Sequence, residues 1–218
     1  NSWSLTCLAR PTIAVLFNIK FVLLSTFKTT SLFLRIKLKN PSMDIEIIVV
    51  DDNSEDGTKS ELNTLKNENK IDHLVLNHKN MGKGFCIREG IKFCSGQVIL
   101  IQDADLEYDP ADYKKLVLPI FNDQADVVYG SRFIGPDSKR VLYFWHRVAN
   151  YFLTLLSNML TNINLTDMEV CYKAFRSDII KQLSLKENRF GFEPEITAKI
   201  SKIKKIRIFE VGVSYFGR

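Results

Sequence analysis

Residues 98–110 read VILIQDADLEYDP, an apolar run that stops in four acids: Asp103, Asp105, Glu107 and Asp109. Carboxylates two residues apart on an extended chain point to the same side. Held close, they repel unless a cation sits between them. Hard oxygen ligands suit Mg2+ or Mn2+, and Mg2+ is commonly shared between carboxylates and the phosphates of a substrate. On these residues alone two readings stand open, a cation site and a solvated strand end. A second acidic strand end follows the run EIIVV at Asp51-Asp52. A carboxylate so placed accepts hydrogen bonds from a ribose or base, or else caps the Asn53-Ser54 turn.

Three further features could take part in chemistry. Asn80-Met81-Gly82-Lys83-Gly84 precedes a helical pattern. Glycines there let backbone N–H groups approach phosphate, and Lys83 adds charge; a plain helix start has the same look. The stretch is neither a P-loop nor a G-x-G-x-x-G dinucleotide turn. Arg132 follows a Gly-Ser turn at a strand end, and Arg140, Arg147 and Arg218 are scattered further on. The planar fork of arginine is suited to phosphate. The histidines (His73, His78 and His146) have no metal-ligand spacing, and no nucleophile–histidine pair can be argued. The cysteines Cys7, Cys86, Cys94 and Cys171 include no C-x-x-C pair, which argues against a zinc or redox centre and for reduced thiols in a cytosolic compartment.

The elements that must position these residues are legible as periodicity. Short β-branched or apolar runs at 44–50, 73–77, 97–102 and 125–133 alternate with helical patterns at 59–69, 81–94 and 110–121, the last opening on Pro110. This alternation predicts a parallel α/β sheet with helices on both faces. Ligands of such sheets bind beyond the carboxyl ends of the strands. Asp51, Asp52, Asp103, Asp105 and the Gly130-Ser131-Arg132 turn are therefore expected on one rim.

The chain is 218 residues long and 45% apolar, enough for one domain with a sizeable core. Its formal charge of +5 comes from residues 1–43, which hold six basic residues and no acid; the remainder has 24 basic and 25 acidic residues. A nearly neutral body argues against nucleic acid as a partner. Residues 1–43 read as an atypical segment. Lys20 and Lys28 interrupt it well short of the roughly 20 apolar residues of a membrane span. It is either a targeting or surface-seeking stretch, or the carrier of a first core strand at 12–17. Residues 142–160 suit a buried helix. They also suit a helix lying on a membrane, with Tyr143, Trp145 and Tyr151 at the interface.

Taken in order, EIIVVDDNSEDGT, NMGKGFCIREGI, ILIQDADLEYDP, VVYGSRF, TDMEVCYKAFR and RFGFEPEITAKI resemble a family-2 glycosyltransferase of GT-A fold. The similar branch is the dolichol- or polyprenyl-phosphate sugar synthases, and the resemblance covers residues 44–218. It implies a GT-A (nucleotide-diphospho-sugar transferase) fold, a Rossmann-like mixed sheet. It also implies an inverting transferase that uses a UDP- or GDP-hexose, Mg2+ or Mn2+, and a polyprenyl phosphate acceptor. By the resemblance, Asp51 and Asp52 bind the nucleoside. Asp103, Asp105 and Glu107 hold the metal against the diphosphate, assisted by Lys83. Arg132, Arg147 and Arg218 receive the lipid phosphate, and Asp167 stands where a catalytic carboxylate is placed. Two departures stand out. A Pro-x-Tyr-Asn-Glu-like turn is expected after the first strand, where this chain has TIAVLFNIK with Asn18 as the one equivalent. The chain also stops at YFGR, where the family usually continues. The expected location is cytoplasmic, peripheral at a membrane face. The competing readings are a non-catalytic nucleotide-sugar-binding relative and a transferase acting on a saccharide.

Overall fold

The computed structural model describes residues 14–18 (as backbone), 39–40, 42–103, 107–135 and 140–217. Seven strands form one sheet: β1 Ala14–Asn18, β2 Ile47–Asp51, β3 His73–Leu76, β4 Val98–Asp103, β5 Val127–Ser131, β6 Lys173–Arg176 and β7 Ile208–Gly212. Their spatial order is β3-β2-β1-β4-β6-β5-β7. The helices are α1 Thr58–Asn67, α2 Lys83–Ile91, α3 Tyr113–Phe121, α4 Phe144–Thr161, α5 Ser177–Gln182 and α6 Phe192–Ile200. A 3-10 turn at Pro110–Asp112 leads into α3, and the Asp109 carboxylate caps it by accepting from the Ala111 N–H at 3.0 Å.

The sheet is mixed. β2 pairs with β3, and β5 with β7, in parallel. β6 runs antiparallel to both β4 and β5. β1 runs antiparallel to both β2 and β4. Five strands thus share one direction and two oppose it, which corrects the all-parallel expectation. The residues that end β2, β4 and β5 still reach a common rim, as their chain order implies. The reversed strands bring their first residues there too, so Lys173 of β6 joins that rim and Ala14 pairs with Asp103.

A strand at Ala14–Asn18 overlaps the expected 12–17, of which residues 12–13 lie outside the described residues. Its direction matters. Asn18 pairs with Ile99 at the start of β4, so it lies at the opposite rim from Asp51 and Asp103. It cannot stand in for the missing turn residue.

Burial explains why the runs became strands. β2 and the first five residues of β4 are buried throughout, as central strands covered on both faces require. α2 comes so close to the loop at 187–191 that a Cβ on Gly84 would lie 2.2 Å from the Glu187 carbonyl oxygen. The Phe85 N–H donates to the Asn188 carbonyl at 3.1 Å in the same contact. Gly84→Ala is therefore expected to lower stability by about 2 kcal/mol, since backbone, not a flexible side chain, must move. A urea midpoint equal to that of the unsubstituted chain would refute this packing.

Candidate donor and acceptor site

At the end of β2 both aspartates are fully buried and both are engaged. The Asp51 carboxylate accepts from the Ser54 N–H at 3.1 Å and closes the turn that follows. Asp52 accepts from the N–H groups of Met81 and Gly82, each at 2.7 Å, and from Asn77 Nδ2 at 2.9 Å. The amide donors of the glycine turn thus meet a carboxylate from their own chain. Gly82 takes φ 95°, a backbone state that glycine reaches at little cost.

At the end of β4, Asp103 Oδ2 lies 2.9 Å from Lys83 Nζ, and Lys83 Nζ lies 2.7 Å from Glu193 Oε1. Lys83 and Glu193 are almost wholly buried. Burial works against the lysine charge, but Asp103 and Glu193 outweigh it and hold the Lys83 pKa well above the usual lysine range. Among the described residues Asp103 Oδ1 and Glu193 Oε2 are buried without a hydrogen-bond partner. The Cys171 thiol adjoins Asp103, and its pKa is pushed up by burial and by that carboxylate. Lys173, at the rim end of β6, is buried with its ammonium on the Val170 carbonyl and 5.3 Å from the Tyr129 ring centroid; burial pulls its pKa down. Glu169 completes the floor, its carboxyl pKa raised by burial and by the charge of Glu193.

Next along the rim, Arg132 grips Asp167. Its Nε and Nη2 donate to the two carboxylate oxygens at 2.7 Å each, and its backbone N–H adds a third bond at 3.0 Å. Asp167 is fully buried. Glu210 accepts from the Thr166 N–H at 2.9 Å and the Asp167 N–H at 3.1 Å, which fixes the loop carrying Asp167. Tyr215 bridges the two halves. Its hydroxyl donates to Glu107 Oε2 at 2.9 Å, and its ring centroid lies 5.5 Å from the Arg132 guanidinium carbon. Arg147 projects from α4 over Phe133 at 5.1 Å and lines a cleft of about 420 Å3 with Phe133, Tyr151, Leu155 and Asn164.

α4 has an inverted polarity. Its buried residues are Asn150, Thr154 and Ser157. Trp145 and Leu160 are 74% and 87% exposed, and Tyr151, Phe152 and Met159 also face outward. The buried-core reading of 142–160 is thereby corrected. Among the described residues no helix is long and apolar enough to cross a membrane.

The structure therefore brings Asp51, Asp52, Lys83, Asp103, Glu107, Arg132, Arg147 and Asp167 to one rim region. Asp105 and Arg218 lie outside the described residues. Sequence reasoning missed Glu193, Lys173, Glu169 and Glu210. A charge inside the four-residue strand KAFR and an acid beside Pro194 at a helix start were the available signals. Among the described residues, no three metal-ligating side chains converge as a preformed metal cage. One or two carboxylates with spare lone pairs are nonetheless what Mg2+ takes when substrate phosphates supply the remaining ligands. The unpartnered Oδ1 of Asp103 fits that pattern.

The fold is thus a seven-stranded mixed sheet with carboxylates and arginines gathered on its carboxyl rim. Residues 29–184 match the glycosyl transferase family 2, and the chain belongs to that family. It is similar to an undecaprenyl-phosphate mannosyltransferase of Micrococcus luteus, 27% identical over 189 residues, covering 84% of this chain and 76% of that protein. A dodecaprenyl-phosphate galacturonate synthase of Rhizobium johnstonii is 28% identical over 79% of this chain and 50% of its own length. A dolichyl-phosphate beta-glucosyltransferase of Trichomonas vaginalis is 26% identical over 82% of this chain and 57% of its own length. Among solved structures, glucosyl-3-phosphoglycerate synthase from Mycobacterium tuberculosis, in complex with Mn2+, UDP and phosphoglyceric acid, superposes with a TM-score of 0.66 at 16% identity. That match covers 90% of this chain and 70% of the other, and it establishes the GT-A fold.

Proposed function

We propose that the chain transfers a hexose from a UDP- or GDP-sugar to a polyprenyl phosphate, with inversion at the anomeric carbon and with Mg2+ or Mn2+ as cofactor. The observation that carries this reading is the rim itself. Asp103, with a spare carboxylate oxygen, stands beside Lys83 at one end, and Arg132, Arg147 and the cleft under α4 stand at the other. The relatives named above carry polyprenyl-phosphate acceptors in their names, which supports the choice of acceptor.

In this account Asp51 and the turn braced by Asp52 shape the nucleoside end. Asp103, with Asp105 and Glu107, would hold the cation, and Lys83 keeps Asp103 in place. The cation supplies a Lewis acid for the charge growing on the departing diphosphate. An oxygen of the acceptor phosphate forms the new bond to the anomeric carbon on the face opposite the diphosphate. The bond to the diphosphate breaks, and its electron pair leaves with the nucleotide. A phosphate monoester has a second pKa of about 6 and is largely ionised near neutrality, so it needs no strong base. Asp167, with both oxygens on Arg132, fits an orienting role: it aims the guanidinium that meets the acceptor phosphate, together with Arg147 and Arg218.

The outward apolar face of α4 is proposed to rest on the cytoplasmic leaflet of a membrane. Residues 140–166 contain no acid, and they include Arg140 and Arg147, as an anionic surface would favour. Sedimentation with anionic vesicles in low salt should carry the chain down, and Trp145→Glu should weaken that binding by about tenfold. Equal sedimentation of the two would remove the membrane face from the account.

The transfer itself is tested by incubating the chain with undecaprenyl or dolichyl phosphate, Mn2+ or Mg2+, and labelled UDP- and GDP-hexoses. Label in the organic phase, lost with chelator, is the expected result. Label on added saccharide instead would favour a saccharide acceptor. Donor binding without product would favour the binding-only relative.

A further inference from the structure

We infer that Glu193 is a positioning residue of the donor site, setting through Lys83 the charge that Asp103 offers to a cation. This rests on the reading of Asp103 as a cation ligand. Glu193 enters from the first turn of α6, and its backbone is fixed there. Its carbonyl accepts from Thr197 Oγ1 at 2.8 Å, and Thr197 in turn meets the Tyr129 hydroxyl at 2.9 Å. The side chain delivers Oε1 to Lys83 Nζ at 2.7 Å, and the same ammonium reaches Asp103 Oδ2 at 2.9 Å.

One ammonium therefore serves two carboxylates, and the cluster keeps one net negative charge. Among the described residues each carboxylate also keeps one buried oxygen without a hydrogen bond, Asp103 Oδ1 and Glu193 Oε2, with the Cys171 thiol beside Asp103. An ion pair built only for stability would match charges one to one and fill those lone pairs, because buried unpaired charge is costly. The Lys173 ammonium acts on Glu193 at longer range than Lys83 does, and the Glu169 carboxyl opposes it. That ammonium is turned to the Val170 carbonyl, and Asp167 is taken by Arg132. With Glu193 absent, Lys83 would neutralise Asp103 alone. With Lys83 absent, two carboxylates would face each other across a buried gap. The three residues together hold Asp103 in place and leave it negative.

The test counts bound Mn2+ from the paramagnetic resonance signal of the free ion, with UDP or GDP present, and needs no turnover. Net charge orders the variants. Glu193→Gln keeps an acceptor for Lys83 but removes one negative charge, and it should weaken Mn2+ binding by about tenfold or more at nearly unchanged melting temperature. Lys83→Met should bind at least as tightly as the unsubstituted chain. The double variant, with net charge restored, should return to within about threefold of it. Glu193→Asp, which keeps the charge, is the packing control and should stay within about threefold.

Equal Mn2+ affinity in Glu193→Gln and the unsubstituted chain would overturn the inference while leaving the donor site standing. If Glu193→Gln does not fold, Lys83→Met against the double variant reads the same charge, and equal affinities there overturn it equally. No Mn2+ binding by the unsubstituted chain with either nucleotide would overturn the cation reading of Asp103, and this inference with it.

Discussion

Asp103→Asn is expected to lower the rate of sugar transfer by about 10²–10³-fold, or about 3–4 kcal/mol of barrier, the usual effect of removing one group that stabilises developing charge. Asn has nearly the same shape, and its carbonyl oxygen can still accept from Lys83, so the end of β4 should survive. What is lost is the negative charge at the rim and the oxygen that stands buried without a partner. Folding should be little affected, because the substitution also lowers the unbalanced charge of the cluster formed by Lys83 and Glu193. Initial rates at saturating donor, measured on protein with an unchanged melting temperature, separate the two effects. A rate within threefold of the unsubstituted chain would mean that Asp103 only ends a strand.

Asp167→Asn should instead act chiefly on stability, by about 3–5 kcal/mol, the range for removing one partner of a buried ion pair. Arg132 has a side chain only 16% exposed, and Asp167 has one that is 0% exposed. The three bonds between them join the end of β5 to the loop before β6. Without the carboxylate, the guanidinium keeps Asn150 Oδ1 at 3.2 Å and the rings of Phe133 and Tyr215 among the described residues. The urea midpoint should fall accordingly, and Arg132→Met with Asp167→Asn should recover part of the loss, since no charge is then stranded. An unchanged midpoint in the single variant would show that the pair is not the brace described here.

Much of this rim was legible in the sequence, because it depends on where strands stop. The apolar runs fixed β2, β4 and β5 to within a few residues, and the acids and the Gly-Ser-Arg turn followed from their ends. The direction of β1 was not legible. A five-residue apolar run reads the same either way, and only its pairing with Val50 and Asp103 places Asn18 at the far rim. The work of Asp52 was hidden for a different reason: its donors, Met81 and Gly82, lie 29 and 30 residues away. Glu193 and Lys173 looked like ordinary charges on short elements until the antiparallel β6 and the approach of α6 brought them under Asp103. The apolar character of residues 142–160 was plain from composition, but composition does not say which side faces water. Burial of Asn150, Thr154 and Ser157 decides it.

The most direct test is a crystal of the chain grown with UDP or GDP and Mn2+, with the ion located by its anomalous scattering. The account predicts a manganese peak in coordination contact with the Asp103 carboxylate and with the nucleotide diphosphate, on the rim where β2 and β4 end. A nucleotide bound with its metal elsewhere, with Asp103 still turned only to Lys83, would contradict it.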